Sequence, residues 1–125
     1  MRGIYLLTLE ISKNVDVKIG ALGKIHFQRG KYIYIGSAQN GIEQRVERHK
    51  SSEKKLFWHI DYLLDNESVK IVDVTKKKGP KDLECETAER LSKVGEPVKD
   101  FGCSDCKCDS HLYRISNDLD PSSLF

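Results

Sequence analysis

The sequence predicts an α+β fold in which a small, mostly antiparallel sheet is flanked by helices. Aromatic and β-branched residues alternate over residues 32–35, which is typical of a strand with two different faces. A short turn at residues 28–30 precedes this strand, so we expect it to run antiparallel to the strand before it. Apolar residues recur at helical spacing in other stretches, so helices and strands share one chain.

The remaining elements follow from the same two periodicities and from the residues that interrupt them. Gly20 and Gly23 break the short strands, and the small residues 36–38 end the central one. Gly95 and Pro97 end the last helix. The predicted strands span residues 3–11, 17–19, 24–27, 32–35, 69–75 and 112–115. The predicted helices span residues 41–50, a stretch that begins at 51–52, and residues 81–94.

Three further stretches have a local interpretation. Asn40 and Glu43 are spaced as in a capping box, with Asn40 as the N-cap of the first helix. Residues 76–80 are expected to form a basic loop, and the tail over residues 116–125 is expected to be loosely held.

Composition indicates one domain that spans residues 1–125. Apolar residues make up 38% of the 125 residues and charged residues 32%, so the chain can bury one core and does not resemble a disordered segment. The net charge of +2 is too small to indicate a polyanionic partner by itself. No signal-peptide pattern and no apolar run of about 20 residues is present, so no membrane partner is expected. The four cysteines are therefore expected to be reduced and the protein cytoplasmic.

One strand, one turn and one helix bring polar side chains to the same place. Tyr34 lies on the central strand, and the small residues 36–38 that follow it would let a phosphate approach the backbone. Arg45 and His49 are one turn apart on the first helix, beside its apolar stripe. This combination favours phosphate contacts next to a phenol.

The tripeptides at residues 3–5 (Gly-Ile-Tyr) and 34–36 (Tyr-Ile-Gly), followed by Arg45 and His49, resemble the signature of the GIY-YIG nucleases. The segments 34–38, 45–49, 58–63 and 101–111 resemble one branch of that superfamily, in which the domain stands alone or is fused to base-excision DNA glycosylases. The resemblance covers nearly the whole chain and implies the same α+β fold. The two tripeptides usually lie closer together in the family, which predicts an inserted hairpin that leaves Tyr5 and Tyr34 on adjacent strands.

The resemblance implies catalytic roles for four side chains. Tyr5 would accept or relay the proton of the attacking water, and Tyr34 would position that water or the phosphate. Arg45 would hold the scissile phosphate, since a guanidinium can make two parallel bonds to its oxygens. His49 would assist proton transfer or bind phosphate.

The family also places one glutamate on a later helix as the protein ligand of a single divalent cation, Mg²⁺ or Mn²⁺. Glu84 and Glu86 both qualify, and Glu84 is favoured because it lies one turn before Ala88 on the inward-facing side. Many family members carry an asparagine shortly after a proline. No asparagine follows Pro97 closely here, and Asp105 is a candidate replacement.

The expected function is a metal-dependent endonuclease that hydrolyses DNA phosphodiester bonds, with a preference for branched or damaged DNA, in repair or recombination. Repair proteins are expected partners. DNA contacts are assigned to Ser37, Arg48, Lys50, Lys54, Lys55 and His59. Trp58 could belong to the core instead. One alternative is a nucleic-acid-binding module that does not cut, and another is a zinc-stabilised adaptor that binds a repair partner.

The zinc alternative rests on one short segment. Cys103, Cys106, Cys108 and His111 follow the spacing C-x2-C-x-C-x2-H, which is dense in zinc-ligand types but forms only one knuckle. Cys85 could be a remote partner. Otherwise the thiols are small buried side chains and His111 is hydrogen-bonded in the core. A structural Zn²⁺ here would be separate from the nuclease site.

Overall fold

The structure is a computed structural model, and it describes residues 3–38, 41–51, 56, 58–102 and 110–125. The fold is α+β, as predicted. Within these ranges, a five-stranded antiparallel sheet is accompanied by a two-stranded sheet and three α-helices. The strands are β1 (Gly3–Ile11), β2 (Val15–Lys18), β3 (Lys24–Phe27), β4 (Gly30–Ala38), β5 (Val69–Lys78), β6 (Glu96–Pro97) and β7 (Leu112–Ile115). The helices are α1 (Ile42–Lys50), α2 (His59–Leu64) and α3 (Asp82–Ser92).

The five-stranded sheet has the order β5-β1-β4-β7-β6, with antiparallel neighbours throughout. β1 and β4 pair along their whole lengths, and their register places Tyr5 opposite Gly36 and Leu7 opposite Tyr34. The two signature tripeptides therefore lie on adjacent strands, as the sequence predicts.

The central strands β1 and β4 carry apolar side chains on both faces. Helices therefore pack on each face of the sheet and bury these side chains. On one face, Ala88 and Leu91 of α3 pack against the core that contains Ile33 of β4. On the other face, α1, α2 and the β2–β3 hairpin contribute to a larger core that contains Ile42 and Ile60.

The hairpin between the signature halves differs from the prediction. β2 and β3 pair only with each other and form their own sheet, so β3 does not continue into the sheet beside β4. The two edges of β4 are already occupied by β1 and β7. The hairpin is instead held by its apolar residues, since Ile19 and Phe27 are buried in the larger core.

Two other predicted segments are also more ordered than expected. Residues 76–78, predicted as a basic loop, continue β5, and their backbone pairs with residues 3–5 of β1. The tail, predicted to be loose, ends in a 3-10 helix (Pro121–Leu124), and Leu124 is only 5% exposed. The guanidinium of Arg90 donates a hydrogen bond to the Leu124 carbonyl at 3.0 Å, which ties the tail to α3.

The predicted second helix is observed only as α2, in which Ile60 and Leu63 are buried. Residues 52–55 and 57, where that prediction began, lie outside the described residues, as does the predicted cap Asn40. No helix in the described ranges has the length and apolar character that crossing a membrane requires.

Candidate active site

A cavity of about 440 Å³ opens where the ends of β4 and β1 meet the beginning of α3. This volume lies within the range of small-molecule sites, about 300–1,000 Å³. The polar side chains that line it include Tyr5, Tyr34, Arg45, Lys81, Glu84 and His111. Four of the five residues assigned to catalysis therefore surround one space.

Gly36 allows the Tyr5 ring to lie directly over the backbone of β4. A Cβ atom at position 36 would overlap the Cζ and hydroxyl oxygen of Tyr5 on the neighbouring strand. Glycine is therefore required at position 36 so that the Tyr5 ring can pack against the backbone there.

The fifth assigned residue, His49, lies behind Tyr5. The Tyr5 hydroxyl is 2.7 Å from Nε2 of His49, and both side chains are buried. Burial raises the pKa of Tyr5 well above its ordinary value, and the charge of the nearby Arg45 opposes part of that increase. The neutral phenol can donate to Nε2 of His49 in the tautomer that leaves this nitrogen unprotonated, and in that arrangement the pair could pass a proton away from the cavity.

Arg45 is held at the mouth of the cavity by two contacts. Its Nη1 donates to the Ser37 carbonyl at 3.3 Å, and its guanidinium carbon lies 4.4 Å from the centre of the Trp58 ring. Stacking on an indole leaves the edges of a guanidinium available to an anion. Ser37 thus positions Arg45 through its backbone, in addition to lining the cavity.

Tyr34 packs edge-on against His49 and Phe101, with ring centres 6.2 Å away in each case. Burial raises its pKa well above the ordinary value. Tyr34 therefore reaches the cavity as a neutral phenol, suited to hydrogen bonding.

Glu84 and Glu86 are distinguished by burial. Glu84 lies in the first turn of α3, is 9% exposed and lines the cavity, whereas Glu86 is exposed on the same helix. The Oε1 atom of Glu84 is 3.3 Å from Nδ1 of His111. Burial lowers the pKa of His111, and the nearby Glu84 carboxylate partly opposes this decrease.

Two residues that were assigned to DNA binding also have hydrogen-bond partners within the fold. Arg48 donates to both carboxylate oxygens of Asp61 at 2.9 and 3.0 Å, and Asp61 is 0% exposed. His59 accepts a hydrogen bond from the Gly102 amide at 2.9 Å through Nδ1. The guanidinium of Arg48 compensates the buried charge of Asp61. The imidazole of His59 supplies an acceptor for the Gly102 amide in its turn.

Of the three lysines assigned to DNA binding, Lys50 is the one within the described residues. Lys50 is exposed at the end of α1. Lys54 and Lys55 lie outside the described residues.

The predicted zinc segment is only partly described. Cys103, Cys106 and Cys108, and the candidate Asp105, lie outside the described residues. His111 was expected to be separate from the nuclease site, and that expectation is wrong, because its imidazole faces Glu84 across the cavity wall. Cys85 lines the same cavity.

Sequence reasoning missed Lys81 and the role of Trp58 as site residues. Lys81 lies three positions before Glu84, and this spacing places both residues on one side of a helix start. The spacing alone could therefore have predicted that Lys81 lies near Glu84. Trp58 is stacked by Arg45 and Arg48 at 4.4 and 4.3 Å, a contact that no local pattern indicates.

A second, larger cavity of about 650 Å³ lies at the opposite end of β4. Among the described residues, Arg29, Lys31 and Arg114 line it, but no tyrosine or histidine does. The smaller cavity is therefore the better candidate for acid–base chemistry. It combines a fixed guanidinium, a phenol–imidazole pair and a buried carboxylate, which together could bind an anion, move a proton and hold a cation.

Comparison with known proteins gives a family but no individual relative. Searches of curated proteins and of solved structures find no match. The family described as a domain of unknown function, DUF123, matches residues 4–125, which is nearly the whole chain. The chain therefore belongs to the DUF123 family.

Proposed function

We propose that this protein is a divalent-metal-dependent endonuclease of the GIY-YIG type, which hydrolyses phosphodiester bonds in DNA. The observation that carries the proposal is the convergence of Tyr5, Tyr34, Arg45 and Glu84 on one cavity, with His49 hydrogen-bonded behind Tyr5. The four residues that line this cavity come from four different elements, β1, β4, α1 and α3. The resemblance of the signature tripeptides gives the same assignment.

Arg45 binds the scissile phosphate. Its guanidinium is already fixed by Ser37 and Trp58, so little conformational freedom is lost when two of its N–H groups engage phosphate oxygens. Lys81, exposed at the start of α3, adds a second positive charge at the rim.

Tyr5 and His49 move the proton of the attacking water. The water gives a proton to the Tyr5 oxygen as the Tyr5 hydroxyl proton passes to Nε2 of His49, over the 2.7 Å hydrogen bond. The resulting hydroxide forms a bond to phosphorus, and the bond from phosphorus to the departing sugar oxygen breaks. That oxygen takes a proton from solvent. This relay avoids a free phenolate, which burial makes unfavourable.

Glu84 fits the role of a cation ligand. Its carboxylate is largely buried beside His111 and faces the cavity, where a cation could reach it. Mg²⁺ commonly takes one carboxylate together with waters and substrate oxygens. When bound, such an ion supplies charge neutralisation at the phosphate and at the departing oxygen.

Basic residues at the same end of the sheet support a polyanionic substrate. Lys76 lies opposite Tyr5 on β5, and Lys78 lies opposite Gly3; both are exposed, as is Lys50.

We assign the protein to cytoplasmic DNA repair or recombination, with structure-selective cleavage of branched or damaged DNA and with repair proteins as partners.

The test is a cleavage assay with flapped, branched, nicked and linear DNA in Mg²⁺ or Mn²⁺. Cleavage should stop in EDTA, and Tyr5→Phe, Arg45→Ala and Glu84→Gln should each lower the rate by about 100-fold or more. Glu86→Gln, an exposed glutamate on the same helix, is the matched control and should retain the wild-type rate. Cleavage that persists in both Arg45→Ala and Glu84→Gln would overturn the proposal.

A non-cleaving DNA-binding module is the second candidate. The depth at which Tyr5 is buried favours it, since a phenol with a raised pKa is a poor base unless the relay operates. In that case the protein would bind DNA with an affinity that falls as salt rises, and no product would form with any of the four substrates.

A further inference from the structure

We propose that His111 and Glu84 together form a two-ligand site for a divalent first-row transition metal ion, which the protein binds in preference to Mg²⁺. The inference rests on the cation site of the proposed nuclease and deepens it. It assigns a second protein ligand and, through that ligand, a metal class.

The distance between the two donor atoms carries the argument. Nδ1 of His111 and Oε1 of Glu84 are 3.3 Å apart. Two ligands held at about 2.1 Å from one ion, at angles of about 90–109°, lie about 3.0–3.4 Å from each other. A charge-assisted hydrogen bond between an imidazole and a carboxylate would instead be about 2.7–2.9 Å long. The separation matches that of two ligands on one ion and is longer than such a hydrogen bond.

Both ligands are presented by fixed backbone. The His111 carbonyl accepts a hydrogen bond from the Ile35 amide at 2.8 Å, and the His111 amide donates to the Phe101 carbonyl at 2.8 Å. Glu84 lies in the first turn of α3, where its amide donates to the Lys81 carbonyl at 3.0 Å. Both residues are nearly buried, at 4% and 9% exposed, so little side-chain entropy is lost on binding.

The site is also open enough for the rest of a coordination sphere. Both side chains line the cavity that contains Arg45, and within the described residues no group of three or more His, Cys, Asp and Glu side chains converges. Two protein ligands leave the other positions to waters and phosphate oxygens. An imidazole nitrogen suits transition metals, whereas Mg²⁺ prefers oxygen ligands only.

The experiment measures binding without DNA, so it is separate from cleavage. Mn²⁺ is added to the protein, and electron spin echo envelope modulation detects the ¹⁴N coupling of a coordinated imidazole. Wild-type protein should give this signal, His111→Gln should lose it, and His26→Gln should keep it, because His26 is exposed on β3. In calorimetry, His111→Gln should weaken Mn²⁺ binding by about tenfold or more and Mg²⁺ binding by less.

The wild-type protein alone already provides a test, in case a variant does not fold. Absence of ¹⁴N coupling in the wild type, or its survival in folded His111→Gln, would overturn the two-ligand site. If His111→Gln weakened Mn²⁺ and Mg²⁺ binding equally, the proposed preference for a transition metal would be wrong. A ¹⁴N signal that depends on His111 supports the site even if no DNA is cleaved, in which case only the nuclease proposal fails.

Discussion

At the level of single residues, the site depends on how closely Tyr5 approaches the backbone of β4. The ring occupies the space that a side chain at position 36 would need. This contact fixes the phenol between His49 and the cavity. Position 36 is therefore coupled to the chemistry although glycine has no functional group.

Gly36→Ala should displace the Tyr5 ring. We expect a loss of stability of about 1–3 kcal/mol from overpacking, and a fall in cleavage rate of about 100-fold because the phenol moves from its position. Urea denaturation and the cleavage assay measure the two effects. Gly79→Ala is the control, since a Cβ there would meet only the end of the flexible Leu83 side chain. Unchanged stability in Gly36→Ala would contradict the proposed contact.

At the level of elements, the turn over residues 98–102 contacts the β2–β3 hairpin, β4 and α2. Phe101 is 0% exposed and packs edge-on against Phe27 of the hairpin and Tyr34 of β4. The next residue, Gly102, adopts a φ of 73° and donates to His59 on α2. The inserted hairpin, α2 and the site are thus held by one turn.

The His59–Gly102 hydrogen bond predicts a pH dependence of stability. Burial lowers the pKa of His59 from its ordinary value of 6.5, because desolvation disfavours the charged ring. The neutral ring accepts the hydrogen bond from Gly102. The unfolded chain then binds a proton more readily than the folded one, so stability is fully present above about pH 6.5 and falls as the pH decreases. The shift at His111 has the same sign.

Thermal denaturation between about pH 7 and about pH 5.5 measures this effect. We expect Tm to decrease with acidification, and to decrease less in His59→Asn, because an amide oxygen can accept the same bond without titrating. His26→Asn removes an exposed imidazole and serves as the matched control. A slope in His59→Asn equal to that of the wild type would rule out His59 as a source.

At the level of the whole molecule, the sheet separates two cores of unequal size. The larger core lies beneath α1, α2 and the hairpin, and the smaller core lies beneath α3 and the C-terminal 3-10 helix. The smaller core positions α3, which carries Glu84. The C-terminal residues therefore contribute to the support of the site.

Leu124→Ala should destabilise the protein by about 2–5 kcal/mol, since the side chain is 5% exposed and packs in the smaller core. Leu56→Ala is the control, because Leu56 is 37% exposed and surface substitutions change stability by less than about 0.5 kcal/mol. Chemical denaturation compares the two variants. Equal and small effects would mean that the tail is as loose as its sequence suggests.

The sequence by itself determined the kind of each main element and the direction of several side chains. The four-residue spacing from Glu84 to Ala88 predicted an inward carboxylate, which depends on local periodicity, a geometric consequence of the helix. The neighbouring strands of Tyr5 and Tyr34 were expected only from the resemblance of the two tripeptides, because strand pairing is not a local property.

Only the tertiary structure decided which partner each side chain meets. Arg45 and Arg48 are equally basic and three residues apart, but one faces the cavity and the other neutralises the buried Asp61. His111 belongs to the site rather than to a separate segment because β7 pairs with β4. Such pairings arise between residues far apart in the chain, through packing and burial of charge, and no local spacing encodes them.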